Sequence, residues 1–422
     1  MAWEQARVTR RPPLTRRALL SGVGALGLGA GALVAAGADG TDGPDWPMYR
    51  YDPAGTAHNP AARVPREQPT ERWSHEFDDM GFMTPGPILH DGQVFVARRS
   101  LTAFDANSGE QVFGIEDEGK PFLSTPAVAT ARAYVSPALV TASEYGLQAV
   151  GIGGGPELPV LDGDGLARRW STGKQPDNPV IESLSFGSEW GSAPVAADGI
   201  VFLGGDEIAA VDASSGATLW RDRIVSSYTR PVIHGDTLHT IAYDGTLVEY
   251  ATDDGTERWT ASTPAERQRI QPAYRDGTLY LAHERGVTAL DADDGTPRWT
   301  SGQPTGEYGR YVTPPAVTPD AVYAAGSGLL GDENDGLVAL DTETGERLWD
   351  APLQSMSEGD DGPAVADGVV LQPDHYSLRA FDAATGEELW RLERESQVTQ
   401  PAIGDGRFYL ADGFSIAAFG GA

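Results

Sequence analysis

The stretch Ala380-Phe381-Asp382-Ala383-Ala384-Thr385-Gly386-Glu387-Glu388-Leu389-Trp390 decides the fold. An apolar run ends in Asp, small and polar residues follow, then Gly, and a second alternating run ends in Trp. This is a β-hairpin: Asp is placed to cap the turn, and Gly supplies the positive φ that the chain needs to reverse. The pattern returns at Ala210 to Trp220, Ala289 to Trp299 and Ala339 to Trp349. Two copies are altered: Ala103 to Phe113 carries Phe for Trp, and Glu249 to Trp259 lacks both Ala and Asp. Repetition at a period near forty residues (on the order of one blade) marks an array of supersecondary units.

A second phrase precedes each hairpin, as in Pro194-Val195-Ala196-Ala197-Asp198-Gly199 and Pro272-Ala273-Tyr274-Arg275-Asp276-Gly277, and an apolar run such as Val201-Phe202-Leu203 follows it. One unit is therefore a meander of four short antiparallel strands, the form of a propeller blade. The opening Pro recurs at Pro87, Pro126, Pro194, Pro231, Pro272, Pro315, Pro363 and Pro401. The closing aromatic recurs at Trp73, Phe113, Trp170, Trp220, Trp259, Trp299, Trp349 and Trp390, one step out of phase. The chain ends on a third strand, Ser415 to Gly420, so the strand around Trp73 is expected to complete the last blade and close the ring. The fold class is thus all-β, an eight-bladed propeller over residues 71–422, after a linker and lead-in segment over 39–70 and an export signal over 1–38. Each repeated Trp is expected to pack between neighbouring blades, since a single blade cannot bury both of its faces.

The N-terminus reads as a twin-arginine signal. Thr15-Arg16-Arg17 opens an uncharged run from Ala18 to Ala38 that closes on Ala36-Gly37-Ala38 before Asp39. The alternative reading keeps this run as a membrane anchor; its many glycines favour cleavage. The net charge is −30, and Lys occurs only at Lys120 and Lys174. An acidic, Lys-poor surface on a chain that is 40% apolar is expected of a protein kept soluble in high salt, where screening removes self-repulsion. Such a field argues against nucleic acid and anionic membranes as partners. The absence of cysteine excludes disulfides, a lipid-modified Cys, c-type haem attachment and thiolate-bound clusters.

The lead-in phrase Trp46-Pro47-x-x-Arg50-x-Asp52-x-x-x-Thr56, followed by A-x-D-x-x-T-G-x-x-x-W repeats, resembles the PQQ-like propeller-repeat family. That family holds quinoprotein alcohol dehydrogenases and non-catalytic BamB-like proteins. The dehydrogenase resemblance implies PQQ in the central channel beside Ca²⁺ held by Glu and Asn, an Asp base and a ring of adjacent cysteines. This chain has no cysteine, and no convincing Glu/Asn/Asp set is legible. The repeat builds the blade and not the site.

Segments before each first strand, and between second and third strands, crowd one mouth of a propeller channel. On that ground the candidate binding residues are Trp190, Tyr228, Arg230, Arg269, Gln271, Arg310, Tyr311, His283, His375 and Gln400, a set of guanidinium, amide and aromatic groups suited to an anionic or peptide-like ligand. The alternative is that these groups satisfy one another in a wet channel. From Pro126 to Pro194 is 68 residues, against 37 from Pro194 to Pro231, so blade two carries a long insertion. In it, Asp162 and Asp164, with Asp177, are weak oxygen-ligand candidates for a metal, although D-G-D-G is equally a turn. A second insertion holds Asp332, Glu333 and Asp335. The expected protein is an exported, monomeric, non-catalytic binding or scaffolding propeller at the cell surface or outside the cell, with a protein or peptide partner and no cofactor. The alternative is a PQQ- and Ca²⁺-dependent dehydrogenase.

Overall fold

The computed structural model describes residues 45–77, 85–116, 124–131, 136–143, 146–152, 168–172, 193–205, 207–222, 229–242, 244–264, 271–283, 286–301, 312–327, 335–354, 356, 361–404 and 406–421. They belong to one unit, Ala38–Ala422. Every described strand falls into one of eight four-stranded antiparallel sheets, and these are the blades of a β-propeller. In chain order, blade one runs from Ile88 to Glu116, two from Ala127 to Ser171, three from Val195 to Asp222 and four from Val232 to Ser262. Blade five runs from Ala273 to Ser301, six from Ala316 to Pro352 and seven from Ala364 to Glu393. Blade eight takes three strands from Ala402 to Gly420 and its outer strand, Thr70–Glu76, from the other end of the chain. The closing register pairs Thr70 with Gly420, Trp73 with Ala418 and Glu76 with Ser415. The export signal expected over 1–38 and the metal candidates Asp162, Asp164, Asp177, Asp332 and Glu333 lie outside the described residues.

The turns form for the reasons legible in sequence. In the hairpin of blade three, Asp212 Oδ1 accepts the backbone N–H groups of Ser214 and Ser215 at 3.0 and 2.9 Å, and Gly216 takes a φ of 70°. In the first turn of the same blade, Asp198 and Gly199 both have positive φ, 49° and 79°, the pairing that a two-residue hairpin needs. A bulge then sits between the third and fourth strands. In blade three the register passes from Ala210 opposite Trp220 to Val211 opposite Thr218, so Leu219 has no partner. Blades one and six repeat the shift, which leaves Val112, Leu219 and Leu348 exposed while the next residue turns its ring into the seam between blades.

Inner strands are buried on both faces. Val287–Leu290 in blade five and Leu337–Leu340 in blade six have no exposed residue, because each blade is packed against two neighbours. All the short first-strand pieces lie nearest the axis, and the lead-in segment runs along them. Antiparallel order puts the D-G and D-x-x-x-G turns on one face of the ring. The starts of the first strands and the connections between second and third strands lie on the other.

Candidate functional site

The axis of the ring is where a propeller of this kind gathers side chains from every blade, and here it holds the protein's own lead-in segment. Trp46 exchanges both backbone bonds with Leu89 of blade one, at 2.8 and 2.9 Å. The Pro47 carbonyl then accepts from Val128 of blade two, Pro53 from Ile233 of blade four, Ala54 from Tyr274 of blade five and Thr56 from Val317 of blade six. Ala57 and Asn59 bracket Val365 of blade seven, and Arg63 donates to Gly404 of blade eight. The winding segment satisfies first-strand N–H groups of blades one, two, four, five, six and seven, which no neighbouring strand could reach.

The tip of this segment is Arg50, fully buried, with a φ of 64° that its side-chain bonds offset. Its guanidinium donates to the carbonyl oxygens of Gly55, Pro314 and Pro315. Asp52 accepts from the Thr56 N–H at 2.9 Å and from its hydroxyl at 2.6 Å, which folds the segment back on itself. The Tyr49 hydroxyl donates to Asp361 Oδ1 at 2.9 Å, and the Gln400 N–H donates to the other oxygen of the same carboxylate at 2.6 Å. Burial, reinforced by Asp361, raises the Tyr49 phenol well above its ordinary value, and burial alone outweighs the Thr56 bonds to raise Asp52. Burial likewise lowers Arg50 against the opposing pull of Tyr49, Asp52 and Asp361.

Of the residues singled out from sequence, Arg230 and Gln400 are brought together around this tip. Arg230 is buried and donates to the Asp52 carbonyl at 2.6 Å; burial lowers it to about 9, with Asp52 resisting. Gln400 donates to the carbonyls of Gly362 and Pro363, both at 3.1 Å, and accepts the Arg50 N–H at 3.2 Å. The sequence reading set these two at a channel mouth. The structure sets them under the lead-in segment, because the main-chain oxygens there need donors. Gln271 lies half-buried at the start of blade five, its Oε1 without a hydrogen-bond partner. His283 is the last residue of the second strand of blade five, buried, its Nε2 2.9 Å from the Thr288 hydroxyl. His375 sits in the connection of blade seven at a φ of 58°, its ring 3.8 Å from that of Tyr376. Trp190, Tyr228, Arg269, Arg310 and Tyr311 lie outside the described residues.

Sequence reasoning did not single out Tyr49, Arg50, Asp52 and Asp361 as axial groups. The signal was present for two of them, since Arg50 and Asp52 are fixed positions of the lead-in phrase. Asp361 carries no pattern of its own.

These described axial residues do not fit a calcium-bound quinone. Both carboxylates, Asp52 and Asp361, are already engaged by donors of the chain, and two buried guanidinium groups stand beside them. A divalent cation there would meet repulsion that little water screens. Among the described residues no group of three or more His, Asp or Glu side chains is placed to hold a metal ion. Nor is there among them a helix long and apolar enough to cross a membrane.

Eight meandering blades with a Trp in each described seam but one, threaded by a W-P-x-x-R-x-D-x-x-x-T segment, define a PQQ-like-repeat β-propeller. The chain belongs to the family described as outer membrane protein assembly factor BamB, whose family model matches residues 157–331 and 287–421. Among solved structures, it is similar to the quinohemoprotein alcohol dehydrogenase from Comamonas testosteroni, with 15% identity, 90% of this chain and 81% of that chain covered, and a TM-score of 0.67. BamB from Moraxella catarrhalis is similar with 17% identity, 84% and 98% covered and a TM-score of 0.56. A europium-containing methanol dehydrogenase is similar with 11% identity, 89% and 98% covered and a TM-score of 0.61. At such identities the likeness is one of fold. No curated protein matches the chain at the level of sequence.

Proposed function

We propose that this protein is an exported, monomeric, non-catalytic propeller that binds or scaffolds a protein or extended peptide at the cell surface. The observation that carries this reading is the use of the axial polar groups. Arg50, Arg230, Gln400, Asp52 and Asp361 are spent on the lead-in segment, on the first-strand backbone around it and on one another. The lack of cysteine and the membership of the BamB family support the same reading. Export rests on the twin-arginine sequence at Arg16-Arg17 and the small-residue site before Asp39.

The test is a titration of the purified protein with PQQ and Ca²⁺, followed by absorbance and by dye reduction with alcohols and sugars. Neither saturable quinone binding nor turnover is expected. Tight binding with turnover would replace this reading with a quinoprotein dehydrogenase. Recovery of a stoichiometric protein partner from the cell-surface fraction, by affinity purification after in-cell cross-linking, is the expected positive result.

A further inference from the structure

Most of the described seams between blades are built alike; among the exceptions, the one between blades four and five keeps its Trp but leaves the indole N–H without a partner. In the common form, the indole Nε1–H of one blade donates to a backbone oxygen of the next: Trp170 to Ala213, Trp220 to Thr252, Trp299 to Thr342 and Trp349 to Ala383, at 2.8 to 2.9 Å. Where the second strand carries Tyr, its hydroxyl adds a bond to the same oxygen: Tyr280 to Thr342, Tyr323 to Ala383 and Tyr409 to Ala106, the last shared with Trp73. Opposite that Tyr on the third strand stands a buried Ala, as in Ala289, Ala339 and Ala418.

In blade four the corresponding pair is His239 and Glu249, opposite each other in the sheet and both buried. The acceptor oxygen, that of Ala292, is taken by His239 Nε2 at 3.2 Å, and Trp259 Nε1 is left buried without a partner. A carbonyl only accepts, so Nε2 carries the hydrogen and Nδ1 carries the lone pair. Nδ1 is itself buried with no partner. Protonation would therefore place a second N–H where no acceptor stands, at the cost of an unsatisfied buried donor. Around the ring, Glu249 is 3.1 Å from Nε2 and favours the charged form. Its other oxygen is held by Arg258 at 3.3 Å, which is also paired with Asp236, and His234 of the first strand opposes the charge. Burial is the largest of these influences and lowers the imidazole from its ordinary value.

We propose that the seam between blades four and five is a proton-operated joint, which loosens on acidification while the seam between blades five and six holds. The sign follows from linkage. A loosened seam returns His239 to water, where it takes up a proton below about pH 6.5, whereas the packed seam refuses it. Opening coupled to uptake of one proton therefore grows as pH falls below that value, by up to about tenfold per pH unit.

Hydrogen exchange on the full-length protein from pH 7 to pH 5, corrected for intrinsic rates, tests this. Amides of Glu257–Ser262 and of Ala292 are expected to lose about tenfold more protection between pH 6 and pH 5 than those of Arg298 to Ser301 and Thr342. His239→Gln, which keeps an N–H donor but does not titrate, is expected to abolish the difference. The paired change His239→Tyr with Glu249→Ala, which rebuilds the seam in the form of blades five and six, is expected to abolish it too. Parallel loss of protection in both seams would overturn the proposal, as would a difference that survives in His239→Gln.

Discussion

The six-membered ring of the Trp170 indole lies on Gly216 of the following blade, so close that a Cβ at Gly216 would stand 2.6 Å from Trp170 Cε3. The same contact joins Trp220 to Gly255, Trp299 to Gly345 and Trp349 to Gly386. The Gly that turns the hairpin thus serves a second purpose, giving the preceding blade's Trp a flat backbone surface. Trp390 shows what happens without such a hairpin. Blade eight is made from both ends of the chain, and the Trp390 indole donates to Pro65 of the lead-in segment at 2.8 Å.

Trp170→Ala is expected to cost about 3–5 kcal/mol through the cavity it leaves. Gly216→Ala should cost about 2–4 kcal/mol, from the left-handed φ and the blocked ring together. In the double variant the Gly216→Ala penalty should shrink to roughly the backbone strain alone, about 1–2 kcal/mol. Denaturant midpoints of the four proteins check this, and simple additivity would refute the contact as an energetic unit.

Arg50→Met is expected to cost about 2–4 kcal/mol, since it strips donors from three carbonyls that are buried or half-buried. Arg50→Lys should recover only part of this, because an ammonium lacks the planar fork that reaches Gly55, Pro314 and Pro315 together. Melting curves and proteolysis within the lead-in segment give the order wild type, Lys, Met.

Ser74 and Ala417 are opposite one another in the closing pair of strands. In a chain without cysteine, Ser74→Cys with Ala417→Cys is expected to form a disulfide on mild oxidation and to add about 2–4 kcal/mol. Altered mobility in non-reducing gels reports the bond; free thiols in the folded protein would contradict the closure.

Burial, and secondarily Arg275, lowers His58 to about 4. Its Nδ1 accepts from the Arg275 guanidinium at 3.1 Å. Above about pH 6.5 the imidazole is neutral folded and unfolded alike. Below it the unfolded chain takes the proton and the folded one does not, so stability is lost as pH falls from about 6.5 toward 4, by on the order of 2–3 kcal/mol. The slope of denaturant midpoint against pH should flatten over that window in His58→Gln.

With a net charge of −30, the folded chain should gain from screening, whose length falls from about 10 Å at 0.1 M salt to about 3 Å at 1 M. The melting temperature is expected to climb steeply from dilute buffer to molar KCl. A flat response would remove the high-salt reading.

The blade count, the hairpins and the closure at Trp73 were legible because each depends on local chemistry repeated along the chain. Asp caps the N–H groups two and three residues on, Gly accepts a positive φ, and alternation sets the face of each strand. The site was legible only in part. Arg230 and Gln400 were marked by their place before a first strand, but their partners were not, because the oxygens they bond belong to segments far off in the chain. His283, judged by its loop position, proved to be one residue inside the strand, where the ring is buried.

What the sequence determined alone is the repeating unit, since its turns and strands are satisfied by neighbours a few residues away. Only the tertiary structure decided what fills the axis and which indole is left without its acceptor. A backbone carbonyl carries no residue identity, so nothing in the letters says that Arg50 will be spent on Pro314 and Pro315, or that His239 will claim the Ala292 oxygen that Trp259 would otherwise hold.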